Sequence, residues 1–103
     1  MDLGLVAKQV RWNSERWFPD LHSDKHFGHL TVHYALGLCG EVGEVANLVK
    51  KADRAGAARP HTEKLADELA DVFTYLLLLA DECKIDLLKS FEAKQAECER
   101  RWG

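Results

Sequence analysis

Two stretches decide the fold: GLCGEVGEVANLVKK over residues 37–51 and KLADELADVFTYLLLLA over residues 64–80. In both, apolar residues recur every three or four positions, which is the period of a helix face turned toward a core. Leu38, Val42, Val45 and Val49 form that stripe in the first stretch, and Leu65, Leu69, Val72, Leu76 and Leu79 form it in the second. Each stretch also carries two acids three residues apart, Glu41 with Glu44 and Glu68 with Asp71. Residues at that spacing share a helix face. Carboxylates crowded beside a packing stripe repel one another and resist desolvation unless a cation holds them.

Working outward, the N-terminal segment predicts a helix from about Leu3 to Trp17, with Leu3, Val6, Val10, Asn13 and Trp17 on one face and a stop before Pro19. Residues 19–26 (PDLHSDKH) read as a polar, turn-like connection. The second helix is expected to begin within 27–30 and to run to about residue 55, where GAARP (56–60) breaks it. Thr62 is a candidate N-cap for the third helix, with Glu63 in its first turn. Ala66, Ala70, Phe73, Leu77 and Ala80 give the third helix a second apolar face, so it should be central and surrounded on most sides. Asp86 can cap a fourth helix carrying Leu87, Leu88, Phe91 and Lys94 and ending near Trp102. Four helices, no strand and a short second connection describe an all-α, four-helix antiparallel bundle in a single domain spanning residues 1–103. A chain of this length buries only a modest core, so completion by a partner subunit is expected.

Composition narrows the functional classes. Hydrophobic residues are 47% and charged residues 30%, with two prolines, which is a globular rather than a disordered balance. A net charge of −3 gives no electrostatic footprint for long nucleic acid, while a nucleotide-sized ligand needs only a few local cations and a metal. The apolar run at 69–80 is about twelve residues, too short to span a bilayer, and the N-terminus (MDLGLVAKQV) does not read as a signal peptide. Cys39, Cys83 and Cys98 fit neither a zinc nor a C-x-x-C spacing. They read as reduced thiols of a cytoplasmic protein, with Cys39 and Cys83 expected as small buried hydrophobes.

Steps of three and four along the second helix align His33, Gly37, Glu41, Glu44, Leu48 and Lys51; the same steps along the third align Lys64, Glu68, Asp71, Tyr75 and Leu78. If these lines face each other, four carboxylates converge with lysines at the margins. Such an all-oxygen set suits Mg²⁺, with Mn²⁺ as a substitute, and both ions bridge readily to phosphates. Each acid pair alone also fits a solvated helix face. Asp71 stands among apolar neighbours, where an unpaired charge costs several kcal/mol, so a buried salt bridge to a lysine or arginine is the alternative there. Glycines at 37, 40 and 43 each cost about 1 kcal/mol relative to alanine, which points to close approach by another helix or a ligand.

Around this centre, His33 shares the Glu41 line and is a substrate-binding candidate, whereas His26, His29 and His33 lack the E-x-x-H companion of a di-iron site. Trp12 is expected in the core, and Trp17, at a helix end, is the candidate for stacking on a base. Tyr75 is placed to orient a ligand or to cap the core, and Lys50 and Lys51 to serve a triphosphate or to complement the helix dipole. No serine, cysteine or histidine arrangement suggests a covalent nucleophile, and no glycine-rich phosphate loop is present.

Over residues 6–102 the sequence strongly resembles the MazG-like all-α nucleoside triphosphate pyrophosphohydrolases, whose signature is E-x-x-E on one helix and E-x-x-D on the next. The resemblance implies that Glu41, Glu44, Glu68 and Asp71 bind magnesium for hydrolysis between the α and β phosphates, giving a nucleoside monophosphate and pyrophosphate. The passage from ELADVFTYLLLLA into CKIDLLKSFEAK is most similar to the dCTP pyrophosphatase and phage-type MazG branches, which implies a homodimer or homotetramer with the acids near subunit interfaces. Family members carry K-x-x-x-N-x-x-R on the last helix. Here Lys94 and Arg101 match the phosphate-binding cations, and Cys98 replaces the asparagine that helps hold the nucleoside; a thiol lacks the amide's paired donor and acceptor. In the mechanism that follows, a metal held by these acids would supply Lewis-acid polarisation of the α-phosphate and a more acidic water, and one of the glutamates, Glu44 among them, would take that water's proton. Two other readings stay open: a non-catalytic helical interaction or dimerisation module with its acids tied up in salt bridges, and the same scaffold acting on another nucleotide such as phosphoribosyl-ATP or dUTP.

Overall fold

The computed structural model describes residues 2–23 and 29–103. These residues form five helices and no strand: α1 (Leu3–Trp17), α2 (Pro19–Ser23), α3 (His29–Arg54), α4 (Thr62–Glu82) and α5 (Leu87–Trp102). The all-α architecture matches the sequence reading. The difference is α2, where a polar turn was expected: Pro19 supplies a pre-set φ at the first helical position and Asp20 follows in the first turn.

Local chemistry accounts for the helix ends. Asp2 caps α1, its carboxylate accepting from the backbone N–H groups of Gly4 at 2.8 Å and Leu5 at 3.3 Å. Asp86 caps α5 by accepting from Lys89 N–H at 3.1 Å. Thr62 is the first residue of α4, and the cap position falls to His61, which makes no side-chain capping bond. Helix α3 ends at Gly56, whose φ of 76° suits glycine; Ala57 N–H donates to the Ala52 carbonyl and Gly56 N–H to that of Asp53, closing a Schellman turn. Helix α4 closes in the same way on Lys84, which takes φ 59° without being glycine.

The long antiparallel pair α3 and α4 is the backbone of the structure, and α1 packs across α4. Gly37 lies under the Tyr75 ring, so close that a methyl there would overlap it. This contact sets the register: Gly37 faces Tyr75, and one turn away Glu41 meets Asp71. Arg11 joins α1 to the end of α4, donating from Nη1 to Asp81 at 3.0 Å and Glu82 at 2.8 Å, and from Nε to Glu15 at 3.0 Å. Those carboxylates hold the guanidinium pKa above its ordinary value against the opposing effect of burial.

Several burial expectations are corrected. Among the described residues the buried set is small: Ser14, Tyr34, Leu77, Leu78 and Ala80. Helix α4 is enclosed only near its C-terminal end, because Leu69 on its core stripe and Phe73 on its second apolar face are exposed. Helix α5 has no extensive contact with any other element, and Leu88, Phe91 and Trp102 on it are exposed. Cys39 and Cys83 are exposed free thiols rather than buried ones. Trp12 lies outside the core, with the Arg16 guanidinium 4.0 Å above its ring. No helix among the described residues is long and apolar enough to cross a membrane.

Candidate active site

The antiparallel register brings α3 and α4 together at their acids. Carboxylate oxygens of Glu41, Glu68 and Asp71 all lie within 4.8 Å of one another. Glu41 and Glu68 are half-buried, whereas Asp71 is exposed, against the apolar surroundings expected from its sequence neighbours. The apolar residues on either side of Asp71 turn away around the helix and leave its own face open. Glu44 lies outside this three-acid group, exposed, but near enough to act on Glu41 through its charge.

The electrostatics are those of anions held together. The Glu41 carboxyl is raised above its ordinary value by desolvation, by a hydrogen bond shared with Glu68, and by the charges of Asp71, Glu68 and Glu44. Among the described residues no lysine or arginine forms an ion pair with Glu41, Glu68 or Asp71, so the salt-bridge alternative for Asp71 finds no partner there. Three convergent carboxylates whose charges oppose one another form a donor set suited to a hard divalent cation.

Glu41 and Asp71 line a cavity of about 630 Å³, a volume in the range of small-molecule sites. Val10, Asn13, Ser14, Trp17 and Phe18 from α1 and its end line it, together with Leu21 from α2, His33, Tyr34 and Glu41 from α3, and Asp71, Thr74, Tyr75 and Leu78 from α4. Trp17 and Phe18 are exposed at its wall. His33 lies edge-on to Tyr34 at 5.7 Å and 6.5 Å from the Tyr75 ring.

Of the substrate-binding candidates, the structure therefore gathers His33, Trp17 and Tyr75 at one cavity with Glu41 and Asp71. It does not bring Lys51, Lys64, Lys94 or Arg101 to that wall. Lys51 lies ten residues beyond Glu41 on α3, about 15 Å along the axis, and Lys64 lies seven residues before Asp71 on α4, about 10 Å along it. Lys94 and Arg101 are on α5, where both flank Glu97, at 3.3 Å and 3.8 Å. Of the three-histidine cluster, His26 lies outside the described residues, and the rings of His29 and His33 are 6.4 Å apart.

Sequence reasoning missed Ser14, Tyr34 and Thr74 as cavity residues. Tyr34 carried a usable signal, since it stands seven residues before Glu41 and so on the same face. Ser14 carried one too, standing four residues after Val10 and three before Trp17 on the face of α1 that carries the stripe.

The helical pair, its acid pairs and the register between them define a MazG nucleotide pyrophosphohydrolase domain: the sequence matches that family over residues 29–101, and the chain belongs to it. It is also similar to dCTP pyrophosphatase 1 of Bos taurus, with 33% identity over 79 residues, covering 72% of this chain and 47% of the relative. The match thus spans about half the length of that curated relative. No solved structure gives a significant match.

Proposed function

We propose that this protein hydrolyses a nucleoside triphosphate, in particular a deoxynucleoside triphosphate, between its α and β phosphates to give the monophosphate and pyrophosphate. The observation that carries the reading is that Glu41 and Asp71 of the three-acid cluster line a nucleoside-sized cavity with an aromatic wall. Glu41, Glu68 and Asp71, with Glu44 beside them, would hold Mg²⁺ or Mn²⁺. When bound, the ion supplies Lewis-acid polarisation of the phosphate and lowers the pKa of water. The chain's own residues would do the rest: Trp17 and Phe18 would offer ring faces for stacking, His33 and Tyr75 would meet the ligand from the same cavity wall, and one of the glutamates, Glu44 among them, would accept the water's proton. The relative's name makes dCTP the first substrate to test.

The active species in this reading is a homodimer or homotetramer. The single chain exposes 7904 Å², whereas a compact 11.7 kDa monomer exposes about 5,900 Å². Its radius of gyration is 16.4 Å, against about 13 Å for a compact domain of this length. Leu36, Val42 and Val49 on α3, Leu69 and Phe73 on α4, and Phe91 on α5 are the apolar residues that a second copy would cover. In that assembly α5 gains a surface to lie against, and Lys94 and Arg101 reach the phosphates in a neighbouring copy's site.

The test is pyrophosphate release from each deoxynucleoside and ribonucleoside triphosphate, with Mg²⁺ and with chelator. Metal-dependent release from at least one supports the reading. No release from any, together with no Mg²⁺ binding by calorimetry, overturns it in favour of a non-catalytic module.

A further inference from the structure

Two polar side chains of the cavity wall, Ser14 and Tyr34, and the His22 they meet have no place in phosphate chemistry. Ser14 Oγ lies 2.9 Å from His22 Nε2, and Tyr34 Oη lies 3.5 Å from the same nitrogen. Ser14 and Tyr34 are only 7% and 1% exposed, yet both belong to the cavity wall. They come from three different helices, α1, α2 and α3, so the cluster exists only in the folded chain.

Position relates this cluster to the acids. Tyr34 precedes Glu41 by seven residues, two turns on one face of α3, or about 10 Å along the axis. On α4 the same two turns lead from Asp71 to Leu78. The cavity therefore runs along the helix pair from the carboxylates to Tyr34 and Leu78, with Trp17 and Phe18 beside it. A nucleotide with its phosphates at the acids would extend its base toward Ser14 and Tyr34.

The wiring of the cluster gives it discriminating power. A hydroxyl free to rotate serves an amino group or an oxo group equally well, since it can accept from one or donate to the other. Nε2 offers a single lone pair or a single N–H, which Ser14 takes at 2.9 Å; Tyr34, 3.5 Å away, is set through its hydrogen bond with Ser14. If Nε2 is unprotonated, Ser14 donates to it and accepts from Tyr34, and lone pairs face the cavity; if it carries the proton, Ser14 accepts from it and donates to Tyr34, whose own proton faces the cavity.

We propose that Ser14, His22 and Tyr34 form the base-reading end of this pocket, selecting nucleotides by an amino or an oxo substituent on the base edge. This assignment rests on the nucleotide-hydrolase reading for the placement of the phosphates. Ser14 and Tyr34 contact the base, and His22 is a positioning residue that orients their hydroxyls. A cluster that only pinned α2 to its neighbours would leave the choice of base untouched.

The experiment compares kcat/KM for dCTP and dUTP, which differ at a single amino or oxo position, in the wild type, Ser14→Ala, Tyr34→Phe and His22→Phe. The expected result is a wild-type preference that moves at least tenfold toward parity in Ser14→Ala and Tyr34→Phe, chiefly through KM. Amino preference identifies Nε2 as the acceptor, and oxo preference identifies it as the donor. Calorimetric binding of dCMP and dUMP to the same variants supplies a readout independent of turnover. A binding preference that shifts in the variants without any hydrolysis upholds the cluster and sinks the hydrolase reading instead. An unchanged ratio, with both substrates weakened equally, overturns the proposal, as does failure of every nucleotide to bind.

Discussion

The contact between Gly37 and Tyr75 sets the register that brings the acids together, and Gly37→Ala tests it. A Cβ at residue 37 would lie 2.7 Å from Tyr75 Cδ1 and 2.8 Å from Cζ, closer than such atoms approach in folded proteins. Two effects then oppose each other. Alanine gains about 1 kcal/mol over glycine inside a helix, while forcing a packed ring aside costs about 1 to 3 kcal/mol. The overlap is with ring carbons, which move only as a unit, so the gain in helix propensity should be cancelled or exceeded. The decisive measurement is a double-mutant cycle by thermal or denaturant unfolding at fixed protein concentration. In a Tyr75→Ala background the obstacle is gone, and Gly37→Ala should stabilise by about 1 kcal/mol, or roughly 4 to 8 °C in Tm. In the wild-type background it should be neutral or destabilising, giving a coupling of about 1 to 3 kcal/mol. Because Tyr75 stands one turn from Asp71 at the cavity, Gly37→Ala should also lower kcat/KM by about tenfold or more. Equal stabilisation in both backgrounds would refute the ring-on-glycine contact and the register built on it.

Two further outcomes follow from the electrostatics. Glu41 has a raised pKa in the folded protein, so the folded state holds its proton more tightly than the unfolded chain. Its effect on the metal-free protein is thus unfavourable once pH rises from the ordinary carboxylate value through the folded pKa. Glu41→Gln should accordingly gain stability relative to the wild type across that window, and the stabilisation by Mg²⁺ expected of the wild type under the proposed function should be absent from it, as read by urea unfolding with and without the ion. Arg11 is partly exposed and bridges Glu15, Asp81 and Glu82. Arg11→Met should cost about 1 to 2 kcal/mol by denaturant unfolding, after allowance for solvent screening of those pairs. A loss within experimental error would show that α1 is held by apolar packing alone.

Helix boundaries were legible wherever local chemistry sets them. The first helix was read as Leu3 to Trp17 and runs over those residues, and Asp86 caps the last helix as expected. The acid pairs were legible because three-residue spacing on two adjacent helices leaves little freedom in where the carboxylates go. What escaped was whatever depends on contacts distant in sequence. Pro19 looked like a stop and is also a helix start, so α2 was read as a turn. Cys39, Leu69 and Phe73 have neighbours that read as core, but burial depends on which element covers them, and in one chain none does. Ser14, His22 and Tyr34 meet only because α2 brings His22 to both hydroxyls, a placement that the spacing along α1 and α3 does not reveal.

In the proposed reaction the carboxylates of α3 and α4 serve metal-dependent cleavage between the α and β phosphates. Phosphorus NMR of dCTP turnover with Mg²⁺, using the wild type and Asp71→Asn, tests it most directly. The account predicts dCMP and pyrophosphate as the products of the wild type, no orthophosphate, and no turnover by Asp71→Asn or in the presence of chelator. Formation of dCDP and orthophosphate, or full activity in Asp71→Asn, would contradict it.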